Sequence, residues 1–374
     1  MKKTKILYII SNLTRCGPVN ILYGIIRHID KEKFEINILT LSKETEKSML
    51  GDFSKLDVKI YNIDLSRIGM QLYGKTKLKK IVKHINPDII HTHGIRADVY
   101  SSKYITSNIF TTIHNYPHKD YVMAYGNVLG KWMVKKQVQV INKITNPIAC
   151  SESISIEMEK LFDCKMDYIK NGINIQKFKK VSNSQKKYVK DKLGIDFNKK
   201  IIISVGRLTD VKNPIKIIKS FIESKISGEY MLIMLGDGKL REECQKYSNE
   251  NVLILGEVSN VNDYLNISDI FISASKSEGL PNAVLEAMAA QVMVILSDIS
   301  PHKEIIEEET KSGILFNLEK NELVNILNNI NKLDLESRGK KCREIVEKNF
   351  SDEVMSNKYQ QKYMKVLKDG DLNE

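Results

Sequence analysis

The sequence predicts an α/β protein of two domains, each built around a parallel sheet. Three observations predict it. Short apolar, β-branched runs alternate with longer helical patterns. The runs are continuously apolar, as strands covered on both faces require. The series then restarts near Lys199. A chain of 374 residues is also too long for one ordinary hydrophobic core.

In the first half the predicted strands are Lys5–Ile10, Phe34–Thr40, Val58–Ile63, Asp88–Thr92, Ile109–Ile113, Pro147–Cys150 and Asp167–Ile169. The second series is Ile201–Val205, Tyr230–Leu235, Val252–Leu255, Ile270–Ala274, Val292–Ser297 and Gly313–Phe316. We place the domains at residues 1–172 and 173–351. The polar, Lys-rich stretch Asn174–Asn198 is the expected connection, with a short helix around Tyr188. A last helical pattern, 352–368, has no following strand and is expected to cap the second domain or return to the first. The end, Lys368–Glu374, reads as a polar tail. Two such units would bring strand C-terminal ends to one cleft, where open α/β sheets bind ligands.

Composition narrows the function classes. With 42% hydrophobic and 28% charged residues, the chain reads as an ordinary folded protein. The apolar stretch behind Met1-Lys2-Lys3 is too short for a signal peptide, and no run approaches the ~20 residues that span a bilayer. A cytoplasmic location is expected. Five scattered cysteines without C-x-x-C spacing argue for reduced thiols and against zinc. Residues 1–180 hold 30 Lys and Arg against 16 Asp and Glu, so the whole excess of +12 lies in the first half. A polyanion or an anionic membrane is the partner such asymmetry suggests; a nucleic acid is not expected.

Three clusters can carry chemistry. In Ser277-Glu278-Gly279-Leu280-Pro281-Asn282-Ala283-Val284-Leu285-Glu286, Pro281 suits a first helical position, leaving the amides of Asn282 and Ala283 as an anion site. Glu278 and Glu286 flank it and can accept from the hydroxyls at two ends of an extended ligand. In Gly206-Arg207-Leu208-Thr209-Asp210-Val211-Lys212-Asn213-Pro214, a guanidinium and an ammonium sit in a strand-to-helix loop, a fitting pair for a diphosphate. Alone, each cluster reads equally as solvated surface charge. Lys212 and Glu286 are both expected on polar surfaces, where substitution moves stability by under about 1 kcal/mol. Third come His91 and His93, closing one strand, and His114, closing the next. No third ligand is spaced for a metal, so these histidines are read as polar substrate contacts in preference to core packing. The loop holding Gly17 lacks G-x-G-x-x-G, which disfavours a dinucleotide cofactor.

Taken in this order, the blocks resemble those of glycosyltransferase family 4, the retaining GT-B enzymes that include capsule and exopolysaccharide transferases. Glu278 to Glu286 matches the family's E-x7-E signature, and Gly206-Arg207 with Lys212-Asn213 its G-R…K-N block. Further matches are Asp88–Gly94, Lys170–Asn174 with Phe178, Leu235–Gly238 and Leu255–Val258. The resemblance implies two Rossmann-like domains, the first on the acceptor side and the second holding a nucleotide sugar. It implies that Glu286 binds ribose and Glu278 the donor sugar. Arg207 and Lys212, with Gly17 and the backbone of Leu280, Pro281 and Asn282, would meet the diphosphate. Val258 would contact the base, and His114 would lie near the transferred sugar. No metal or other cofactor is expected. The expected reaction moves a hexosyl group, from UDP by preference, to a saccharide or polyprenyl-diphosphate-linked acceptor with retention, in bacterial surface polysaccharide synthesis.

Two departures stand out. The first-strand loop reads Cys16-Gly17-Pro18 where the family has two glycines, and Gln291-Val292-Met293 replaces a usual Gly and Pro. An epimerase of the same fold and a catalytically silent sugar- or nucleotide-binding homologue are the alternatives. Finally, Lys75, Lys77, Lys79, Lys80 and Lys83 crowd one stretch, while Lys131, Lys135, Lys136 and Lys143 interleave with Trp132, Met133, Val138 and Ile141 in an expected amphipathic helix. Both stretches are candidates for docking on anionic lipid.

Overall fold

A computed structural model describes residues 3–65, 67–105, 108–306 and 312–371. Met1, Lys2 and the end of the expected tail, residues 372–374, lie outside the described residues. The chain forms two compact units, Met1–Gly172 with Asp352–Glu374, and Ile173–Ser351.

The first unit holds strands β1 (Thr4–Ile10), β2 (Phe34–Thr40), β3 (Lys59–Asn62), β4 (Ile89–His93), β5 (Ile109–Ile113), β6 (Asn146–Ala149) and β7 (Asp167–Tyr168). They form one parallel sheet ordered β3-β2-β1-β4-β5-β6-β7. Its helices are α1 (Gly17–Arg27), α2 (Leu50–Phe53), α3 (Arg67–Ile85), α4 (Ile95–Tyr104), α5 (Pro117–Ile141) and α6 (Glu152–Phe162). Parallel neighbours need crossover helices, and these cover both faces. One face packs Leu22, Ile25 and Ile26 of α1 on β1 and β2; the other packs Met70 and Leu78 of α3 on Leu7, Ile9 and Ile90.

In the second unit are α7 (Asn183–Lys192), β8 (Lys200–Val205), α8 (Pro214–Glu223), β9 (Tyr230–Leu235), α9 (Arg241–Gln245), β10 (Val252–Gly256) and α10 (Val261–Ile267). There follow β11 (Ile270–Ser273), α11 (Asn282–Ala289), β12 (Met293–Ser297), α12 (Ser300–Ile305), β13 (Gly313–Phe316), α13 (Glu322–Asn328) and α14 (Leu335–Asn349). The sheet is parallel, ordered β10-β9-β8-β11-β12-β13, so its strand order reverses between β8 and β11. Such a reversal leaves a crevice at the strand C-terminal ends.

Asn174–Asn198, within the bounds given to the second domain, belongs to the second unit. There α7 is closed by a reciprocal Ser182–Gln185 capping box, and Lys186 pairs with Asp269 at 2.7 Å. The expected tail is helical through Asp371, as part of α15 (Asp352–Asp371). That helix lies on the first unit, where Ser356 donates to the Ile25 carbonyl at 2.7 Å and Met355, Tyr359 and Tyr363 join the α1 core. One of the departures also finds its cause: Gln291 sits at φ 60°, a left-handed position that glycine adopts without strain.

Candidate active site

In the second unit the candidate residues sit on loops leaving the C-terminal ends of β8, β9, β10 and β11. The β8 and β9 loops run backbone to backbone. Gly206 N donates to Leu235 O at 2.9 Å, and Leu208 N donates to Asp237 O at 2.9 Å. A Cβ on Gly236 would stand 1.9 Å from Gly206 O, and one on Gly238 would stand 2.4 Å from Leu208 O. The Leu235–Gly238 block is thus a packing requirement that holds the Gly206-Arg207 loop in place.

That loop presents Arg207 exposed, with no side-chain hydrogen bond or ion pair among the described residues. Lys212 turns back, its stem over Gly206, and its ammonium binds Glu278 Oε1. Ser275 Oγ donates to the same oxygen at 2.7 Å. Burial pushes the Glu278 carboxyl up, but the Lys212 ammonium and the Ser275 hydroxyl outweigh it and hold it below the usual range. Lys212 is not the surface charge expected: it is 29% exposed, and its partner Glu278 is 10% exposed. The pairing also joins two clusters 66 residues apart in sequence.

The short helix α11 starts one residue later than expected. Pro281 is its N-cap, and the Pro281 carbonyl accepts from Val284 N at 3.1 Å. Asn282 and Ala283 are therefore its first two helical residues, ahead of that first intrahelical donor. Leu280 and Pro281 are buried, so their side chains are closed to a ligand. Val258 follows β10 between bends at Glu257 and Ser259, half-buried.

Glu286 lies on α11, and it too is more enclosed than expected. Burial pushes its carboxyl up to about 7, offset in part by the Lys177 ammonium. Arg343 holds that neighbourhood together, donating to the carbonyls of Ile175, Phe178 and Ala289 at 2.6–2.9 Å. The folded chain binds this proton more tightly than the unfolded chain, whose value is near 4.5. The stability it contributes is therefore full below about pH 4.5 and is lost as pH rises through about 7. Glu286→Gln should flatten that fall in a series of thermal melts. A pH slope identical to the parent's would mean that the carboxyl is not enclosed.

His302, on α12, is a residue the sequence analysis missed. It is fully buried; its Nδ1 lies 2.8 Å from Ser297 O, while its Nε2 has no partner among the described residues. Burial pushes it down to about 4, against the opposing field of Glu278. Its only signal was a histidine soon after a strand-ending serine, which is common in any protein.

In the first unit Gly17 opens α1, exposed beside Cys16 and Pro18. The histidine expectation is corrected in part. His91 is core: Nδ1 meets Tyr363 Oη at 2.6 Å, and Nε2 meets Thr112 Oγ1 at 2.8 Å. Tyr359 Oη reaches the same Thr112 hydroxyl at 2.8 Å, so α15 completes this polar core. His93 is also buried. Its Nδ1 lies 3.0 Å from His114 Nε2, with the ring centroids 5.3 Å apart. Only His114 keeps partial access to solvent.

Comparison with known proteins places this geometry. The family "Glycosyltransferase Family 4" matches residues 17–177, and "Glycosyl transferases group 1" matches residues 185–350. The chain thus joins a family 4 glycosyltransferase domain to a group 1 glycosyl transferase domain. It is 26% identical to UDP-Gal:alpha-D-GlcNAc-diphosphoundecaprenol alpha-1,3-galactosyltransferase of Escherichia coli, over 86% of this chain and 87% of that one. It is 26% identical to the capsular polysaccharide biosynthesis glycosyltransferase CapH of Staphylococcus aureus, over 80% and 83%. The fold is the GT-B type: the Anabaena protein HepE, solved in complex with UDP, superposes with a TM-score of 0.79 at 16% identity, covering 97% of this transferase and all of HepE.

Proposed function

We propose that this glycosyltransferase moves a hexosyl group from a UDP-sugar to a saccharide or lipid-linked saccharide acceptor, with retention, in bacterial surface polysaccharide synthesis. The observation that carries the reading is the Lys212–Glu278 pair beside the unpaired Arg207 and the start of α11. Arg207, Lys212, the amides at Asn282 and Ala283 and the glycine of the Gly17 loop would meet the diphosphate. Glu286 would take the ribose hydroxyls, the backbone at Val258 the base, Glu278 the donor sugar, and His114 the transferred sugar. The E. coli relative named for UDP-Gal and a diphosphoundecaprenol acceptor, and HepE in complex with UDP, support the choice of donor and acceptor.

In the step so read, the bond from the anomeric carbon to the phosphate oxygen breaks. A bond from that carbon to the acceptor oxygen forms on the same face, and the acceptor proton passes to the departing phosphate. Cationic side chains and helix amides stabilise the charge that develops there, and no cofactor is assigned. Purified protein tested against a panel of sugar nucleotides should be stabilised thermally by UDP-sugars, with an α-linked product by NMR. Indifference to every sugar nucleotide would overturn the reading, and an inverted product would overturn retention.

A lipid-linked acceptor implies a membrane-facing surface, and we place it on α3 and α5. Helix α3 carries no acidic residue and exposes Lys75, Lys77, Lys79, Lys80 and Lys83 beside Ile68, Leu72 and Tyr73. Helix α5 breaks at Gly126 (φ 78°) and exposes Tyr125, Val128, Leu129 and Trp132 next to Lys131, Lys135 and Lys136. Of the apolar residues expected to line the face, Ile141 is buried and Met133 and Val138 half-buried; Lys143 lies past the helix. Among the described residues no helix is long and apolar enough to cross a membrane. The protein should sediment with anionic vesicles at low salt and release at high salt, each lysine contributing ~1 kcal/mol. Absence of binding at low salt would remove the surface from the reading.

A further inference from the structure

The two histidines at the ends of β4 and β5 share one hydrogen bond, and its direction can be worked out. Burial pushes His93 well below the ordinary histidine range and His114 down to about 4, so both rings are neutral near pH 7. Each ring then carries one N–H. In one arrangement His93 donates from Nδ1, His114 accepts at Nε2, and His114 carries its own hydrogen on Nδ1. In the other, His114 donates from Nε2 into His93 Nδ1, and the His93 hydrogen sits on Nε2.

The surroundings of His93 Nε2 decide between them. That atom is sealed from solvent and has no hydrogen-bond partner among the described residues. The second arrangement would bury an N–H with nothing to receive it. The first leaves only a bare lone pair there, and orphaned buried N–H groups are the rarer and costlier kind. The ring centroids are 5.3 Å apart and the planes 26° from parallel, so the two nitrogens meet edge to edge, as a hydrogen bond between rings requires.

We infer that His93 is a positioning residue, which holds His114 in the tautomer protonated at Nδ1. His114 then offers a hydrogen-bond donor, not a lone pair, to whatever approaches that nitrogen. Resting on the reading that puts His114 against the transferred sugar, this makes the ring a donor to a sugar oxygen. It cannot take the acceptor's proton at Nδ1, so that proton must leave by another route, such as the departing phosphate. The H-x-H element thus splits into two tasks: His91 is tied into the core by Tyr363 and Thr112, while His93 sets a neighbour's proton.

Long-range 1H–15N correlation spectra of the protein labelled at histidine test this directly, with His114 assigned by its loss in His114→Gln. Protonated Nδ1 and bare Nε2 at neutral pH are expected; a His114 hydrogen on Nε2 overturns the inference. His93→Phe removes the donor. Its His114 should no longer be held in one tautomer, the hydrogen being shared between Nδ1 and Nε2, with turnover falling about tenfold and nucleotide Kd unchanged within about twofold. His93→Asn, whose amide N–H can reach the same nitrogen, should restore both tautomer and turnover. A His93→Phe protein that keeps Nδ1–H alone, or that keeps parental turnover, would overturn the positioning role. Parental turnover in His114→Gln would instead remove His114 from the sugar, leaving the tautomer assignment standing.

Discussion

Gly236→Ala should destabilise the second unit by about 4 kcal/mol or more, most of the stability of a marginally stable protein. Two effects add at this residue. Its φ of 136° is strained for any L side chain, and the new methyl carbon would stand 1.9 Å from Gly206 O. The obstacle is backbone in the neighbouring strand-end loop, which cannot swing aside as a side chain would. Relief would pull β8 and β9 apart where Arg207 is presented, so nucleotide binding should disappear together with stability. Gly228→Ala is the control, because nothing lies within 4 Å of its Cβ position. It should stay within about 0.5 kcal/mol of the parent in urea unfolding. A Gly236→Ala protein with the parent's midpoint would mean that the two loops do not touch.

Lys212→Ala should reduce turnover by roughly 100- to 1,000-fold, the scale of removing one electrostatic stabiliser from a reacting centre. It should also cost about 3 kcal/mol of stability, because it leaves the buried Glu278 carboxylate without its cation. Without the ammonium, burial would push the Glu278 carboxyl up. The double variant Lys212→Ala/Glu278→Gln separates the two effects. With no charge left to bury, it should recover most of the lost stability and none of the turnover. Additive losses in the double variant would show that the two residues do not interact. Recovery of turnover would remove both from the chemistry.

Much of the architecture was legible in the residues. Buried parallel strands are continuous apolar runs, which marked most of the thirteen, and every predicted end falls within one residue of the strand's own. Their crossover helices follow from parallel pairing, and the Glu278–Glu286 and Gly206–Asn213 blocks marked the loops that carry the candidate site. Other features were not legible. Lys212 looked like a solvated lysine because its partner lies 66 residues away. Glu286 looked like an exposed helix glutamate, and His91 like a ligand-facing one, although Tyr363 sits 272 residues beyond it and completes its burial.

The sequence by itself determined the fold class, the strand series and the family, because each is written in local pattern: apolar runs, turn glycines and short ordered motifs. Only the tertiary structure decided which charges are paired, which histidine keeps solvent access, and on which unit α15 lies. It also decided why Gly236 must be glycine. Those outcomes depend on desolvation and on hydrogen bonds between residues distant in the chain, and a group's environment is set by what packs over it, not by its neighbours in sequence.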